Sequence, residues 1–140
     1  MRNADEAECS ALFRPLDEAR LPDGSESWVP GSESSDLVSC LSHLRHCKHR
    51  GHRHLIWWEM GLNGDMDDSC RAIADLASGL MDEALRMAER LIAPRYGRIE
   101  GGSFCVIGLG KLGGRELNLG SDVDPLFLWQ GEGSSVDGRQ

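Results

Sequence analysis

Two aspartates spaced i, i+2, Asp122 and Asp124, close a glycine-rich stretch that reads Gly108-Leu-Gly-Lys-Leu-Gly-Gly-Arg-Glu-Leu-Asn-Leu-Gly-Ser-Asp-Val-Asp124. Glycines let a backbone approach a phosphate closely. On a strand, side chains at i and i+2 point the same way, about 6.6 Å apart. Asp122 and Asp124 are therefore expected on one face, and Val123, Phe127 and Trp129 on the other. Mg²⁺ takes one or two carboxylates together with phosphate oxygens and water. A phosphate cradle beside a carboxylate pair points to metal-assisted nucleotidyl transfer. The plain alternative for the pair is an Asp-rich strand start, since Ser-Asp is a common turn element.

Three chemistries compete for the glycines. Gly108-Leu-Gly110-Lys-Leu-Gly113 matches the dinucleotide fingerprint and follows a strand pattern, but too few residues separate it from Gly120-Ser121 for the long crossover helix that fingerprint needs. A nucleoside-triphosphatase phosphate loop requires Ser or Thr after Gly-Lys, and Leu112 stands there. The remaining reading is a Gly113-Gly114 turn opening a short helix whose first amides meet a triphosphate. Lys111 supplies a point charge for a phosphate or is a solvated loop lysine. Arg115 touches phosphate or makes an exposed salt bridge of little value. Ser121 caps a turn or bonds a phosphate.

Around this stretch the expected architecture is α+β. Residues 1–35, broken by Pro15, Pro22, Pro30 and a Gly-Ser-Glu-Ser-Ser run, read as a disordered leader. A helical segment follows over 36–100. Its first helix starts with Ser35 or Asp36 as cap, carries Leu37, Leu41 and Leu44, and has a potential break at Gly51. Gly61-Leu62-Asn63-Gly64 stops it. The second helix is capped by Asp65, Asp67 or Asp68 and carries Ile73, Leu76, Ala77, Leu80, Met81, Ala84, Leu85 and Ala88 at 3–4 spacing until Pro94 and Gly97. Residues 101–140 then form a truncated nucleotidyltransferase core: a strand at Ser103–Ile107, about two helical turns at Leu112–Leu119, a strand at Asp122–Trp129, and a loop from Gly131.

Composition narrows the class. A net charge of -8 argues against a nucleic-acid-coating protein, which needs clustered bases. No apolar run approaches the ~20 residues of a membrane helix. Cysteines 9, 40, 47, 70 and 105 form no CxxC pair and read as reduced thiols of a cytoplasmic protein. Five histidines (43, 46, 49, 52 and 54) lie near Cys40 and Cys47. No distant second ligand pair accompanies them, so a solvated basic helix face is expected rather than a zinc site.

From Gly110 to Asp124, and through Leu126-Phe127-Leu128, the chain closely resembles the glutamine-synthetase (glutamate-ammonia ligase) adenylyltransferase family. Weaker similarity reaches upstream to about residue 40. The resemblance implies a polymerase-beta-like nucleotidyltransferase sheet, Mg²⁺ and ATP, and AMP transfer to a tyrosine of glutamine synthetase. The family's other, N-terminal domain removes that AMP by phosphorolysis, using phosphate and yielding ADP, and Glu-Leu-Asn before Ser-Asp-x-Asp looks more like this removing domain. The resemblance places metal on Asp122 and Asp124, and phosphate at Gly113 and Gly114. It also implies contact with a nitrogen-signalling regulatory protein through parts outside this chain. The superfamily uses a third carboxylate on a later strand, for which Glu132 and Asp137 are poor substitutes. Pro125 stands where the family has an apolar residue. The sequence is therefore expected to be a fragment or a catalytically dead, partner-docking remnant of such an enzyme.

Overall fold

The computed structural model describes residues 31–61, 63–131 and 134–136. Most of the expected leader, residues 1–30, lies outside the described residues. Helix α1 spans Leu37–Gly61. The Asp36 carboxylate caps it by accepting the Ser39 amide at 2.9 Å, satisfying one of the donors a helix start leaves unpaired. The helix continues through Gly51, and the reason is packing. A Cβ at Gly51 would stand 2.5 Å from Leu76 Cδ2, so the missing side chain is the slot into which Leu76 fits. The chain leaves α1 where the sequence stops it, with Asn63 in the left-handed region and the Gly64 amide on Trp58 O at 2.9 Å.

Helix α2 spans Met66–Tyr96 and packs back along α1. Asp65 is its cap, accepting from the Asp67 and Asp68 amides at 2.8 and 3.2 Å. Pro94 lies within the last turn instead of ending the helix, and Gly97, at φ 76°, ends it with its amide on Ala93 O. The buried stripe of α2 (Ile73, Ala74, Leu76) meets Cys47 and Leu55 of α1 in the core. Burial raises the Cys47 thiol pKa, and Cys47 Sγ stands 3.5 Å from His43 Nε2. His54 is also buried rather than solvated. Among the described residues, no three His, Cys, Asp or Glu side chains gather as a metal-binding group, and no helix is long and apolar enough to cross a membrane.

The end of the expected leader is tied down. Ser32 N donates to Glu83 Oε1 at 3.0 Å, and Arg90 reaches both Glu83 and Ser32 O.

After α2 come β1 (Arg98–Glu100), β2 (Ser103–Leu109), the one-turn helix α3 (Gly110–Gly113), β3 (Asp124–Gln130) and β4 (Ser134–Val136). Two antiparallel ribbons result, β1–β4 and β2–β3, so the architecture is α+β. The segment after Gly131 was expected as a loop, yet Ser134–Val136 pairs with Arg98–Glu100. Three-residue strands carry too little alternation to show in a sequence. The β2–β3 register pairs Phe104 with Trp129, Val106 with Phe127 and Leu109 with Asp124, and Phe104 stacks diagonally on Phe127 at 6.0 Å between centroids. Pro125 opposes Gly108. A missing amide is tolerated there because, among the described residues, β3 is an edge strand.

Candidate functional site

The glycine turn begins where β2 ends. Gly110 adopts φ 54°, a left-handed value that turns the chain off the strand without a Cβ clash. One helical turn follows. The Gly114 amide bonds Gly110 O at 3.0 Å, Arg115 N bonds Leu112 O at 3.1 Å, and Glu116 N bonds Lys111 O at 2.8 Å. The helix expected over Leu112–Leu119 is thus only Gly110–Gly113. Arg115, at φ 56°, breaks it, because left-handed backbone cannot continue a right-handed helix. Gly113 and Gly114 therefore close this turn and do not open it. Gly113 is obligatory at its place, since a Cβ there would stand 2.5 Å from Gly108 O.

Two leucines fasten the turn to the helices. Leu112 and Leu117 are buried and join the core of Cys47, Leu55, Ile73, Ala74 and Leu76. A third tie is electrostatic. One terminal nitrogen of Arg115 donates to both carboxylate oxygens of Asp75 on α2, at 2.7 and 2.6 Å. Nothing in the sequence marks Asp75, which lies 40 positions upstream on α2, half-buried between Ala74 and Leu76. Arg115 and Glu116 are adjacent in sequence, but the salt bridge Arg115 makes is with Asp75.

The aspartates divide between two settings. Asp124 is the first residue of β3 and the register partner of Leu109, the residue before the turn. Its carboxylate reaches over Gly110: Oδ2 is 3.4 Å from where a Cβ at that glycine would be. Asp122 precedes the strand, so the expected start of β3 moves two residues on. It lines a groove of about 490 Å³ between α2 and the 117–123 segment. Leu76, Leu80 and Met81 line the groove together with Lys48, His52 and Ser121. Burial, together with Lys48 and His49, lowers the His52 pKa and favours its neutral form. Ser121 caps a local turn, with its amide on Asn118 O at 3.1 Å and its hydroxyl bonded to Asn118 Oδ1. Lys111 is exposed on the turn.

Asp122 and Asp124 are both exposed and offer hard oxygen donors, the ligand chemistry of Mg²⁺. The donor set fits that ion, with phosphate or water completing its shell.

The family model for glutamate-ammonia ligase adenylyltransferase matches residues 7–140. A bifunctional glutamine synthetase adenylyltransferase/adenylyl-removing enzyme of Thioalkalivibrio sulfidiphilus is 29% identical over 134 residues, covering 92% of this chain and 14% of that protein. The same-named enzyme of Stenotrophomonas maltophilia strain R551-3 is 48% identical over 61 residues, covering 44% of this chain and 7% of its own length. The one of Xanthomonas campestris pv. campestris strain ATCC 33913 is 42% identical over 62 residues, again 44% and 7%. The chain thus spans a small part of the length of the curated relatives it matches. No solved structure matches it.

Proposed function

The chain belongs to the glutamate-ammonia ligase adenylyltransferase family, and from that membership we propose that it is the nucleotide-handling part of a Mg²⁺-dependent nucleotidyltransferase acting on glutamine synthetase, in the cytoplasm. The reaction is AMP transfer from ATP to a tyrosine of that protein, or phosphorolytic removal of the AMP. The observation that carries the reading is the Asp124 carboxylate standing over the Gly110 turn. It brings a carboxylate to the glycine turn at the end of the β2–β3 ribbon where Asp124 pairs with Leu109.

In this reading the ribbon is the start of a polymerase-beta-like sheet. The turn from Gly110 to Gly114 gives a phosphate close approach to the backbone, and Lys111 lies exposed within it. Asp122 and Asp124 would hold the metal, which when bound would neutralise charge developing on the phosphate oxygens. The protein's task is to position the attacking oxygen in line with the leaving group. The regulatory protein expected for the family engages parts outside this chain.

Titration with Mg-ATP and Mg-ADP tests the site, and Asp122→Asn/Asp124→Asn is expected to weaken binding at least tenfold. Binding left unchanged in that variant would sink the assignment. Incubation with glutamine synthetase and labelled ATP, or with the adenylylated protein and phosphate, tests the reaction. A second reading, a docking chain without chemistry, is favoured by one feature: Leu126, Phe127, Leu128 and Trp129 are all exposed along β3. It expects retention of glutamine synthetase on the immobilised chain with no transfer in either direction.

A further inference from the structure

We propose that Asp75 is a positioning residue of this site: from α2 it fixes Arg115, and through Arg115 the orientation of the glycine turn and of the guanidinium toward a bound phosphate. The inference rests on the nucleotide reading above and goes beyond it, because Asp75 lies outside the motif.

Two independent observations carry it. The first is the ion pair, in which a single Arg115 nitrogen bridges both Asp75 oxygens at 2.7 and 2.6 Å. Because one nitrogen serves both oxygens, the remaining guanidinium donors are not used by this pair. The side chain is anchored, yet it retains donors for an anion at the turn. The second is the backbone. Arg115 holds φ 56°, a region that a long L side chain rarely adopts and that persists only where surroundings enforce it. Arg115 follows Gly114 directly, so its left-handed backbone sets the direction in which the chain leaves the turn. The flanking Leu112 and Leu117 plug into the core and fix the turn's depth. Two apolar plugs on one line leave rotation about that line, and a directional contact to one side removes it. Asp75 supplies that contact from a rigid helix.

The test uses the full chain and two readouts. Amide hydrogen exchange of Gly113 to Glu116 is followed by NMR, and Mg-ATP affinity is measured by calorimetry, for the wild type, Asp75→Asn and Asp75→Glu. In Asp75→Asn the turn amides are expected to exchange about fivefold faster and Mg-ATP to bind about fivefold more weakly, the size of a well-aligned, half-exposed ion pair. The core amides of α2 are expected to be unchanged. Asp75→Glu, which retains the charge, is expected to recover most of both effects. Turn exchange equal to wild type in Asp75→Asn overturns the proposal. So does a loosened turn with unaltered Mg-ATP affinity, because Asp75 would then be structural only. If the wild type itself binds no Mg-ATP, the nucleotide reading fails, and the exchange comparison alone decides whether Asp75 holds the turn.

Discussion

Glu83 is the most heavily engaged carboxylate among the described residues, and its replacement by Gln gives the sharpest test of how the helical part holds together. Its side chain is 1% exposed. It accepts from Ser32 N at 3.0 Å, Arg86 Nε at 3.0 Å and Arg90 at 3.3 Å, while Arg90 also donates to Ser32 O at 2.5 Å. Burial works to raise the Glu83 pKa, but the Ser32 amide and the Arg86 and Arg90 hydrogen bonds outweigh it, and the net pKa is below the ordinary carboxylate value. Gln keeps the volume and loses the charge. The Ser32 amide then loses a charge-assisted bond, a difference of about 1 kcal/mol. The two guanidiniums are 57% and 42% exposed and regain water, so each contributes only about 0.5 kcal/mol. The expected loss is about 2 kcal/mol, or roughly 6–10 °C in Tm for a chain of this size. The pH dependence follows from the sign of the shift. A carboxyl whose folded pKa is lowered stabilises the fold above its unfolded pKa, and that contribution disappears as pH falls through the folded value. The gap between wild type and Glu83→Gln is therefore expected to be full at pH 7 and to close in acid, as pH falls below the ordinary Glu value and through the lowered folded one. Urea unfolding at several pH values measures it. A gap under about 0.5 kcal/mol at pH 7, or one that widens in acid, would refute the account.

Other perturbations probe the turn and the helix contact. Gly113→Ala forces a Cβ to 2.5 Å from Gly108 O. Its expected result is at least a tenfold loss of Mg-ATP affinity by calorimetry with little change in helix content, because a backbone oxygen cannot step aside as a side chain can. Gly51→Ala gains helix propensity but drives a methyl to 2.5 Å from Leu76, which is fully buried, so a net loss of about 1–2 kcal/mol is expected in denaturant unfolding. Leu112→Ala removes a buried plug between turn and helices and should lose about 2–4 kcal/mol by the same measurement.

Much of this protein was legible from local pattern. The 3–4 spacing of α2, an aspartate cap among Asp65, Asp67 and Asp68, and a stop in the Pro94–Gly97 stretch are contained in adjacent residues, and the structure selects Asp65 and Gly97. The glycine-rich stretch and the i, i+2 aspartates were equally visible as residue types and spacing, but the shared strand face expected for Asp122 and Asp124 was not realised, because only Asp124 lies on β3. The tertiary structure decided what depends on distant contacts. Gly51 became a packing slot because Leu76 faces it, where propensity alone suggested a break. The turn helix shrank to one turn because Leu112 and Leu117 were drawn into the core and Arg115 into the left-handed region. Asp75 became tied to the turn from 40 residues away through an ion pair that no local pattern encodes. Sequence spacing determines which groups the motif brings close along the chain, and long-range packing determines which of them are held still.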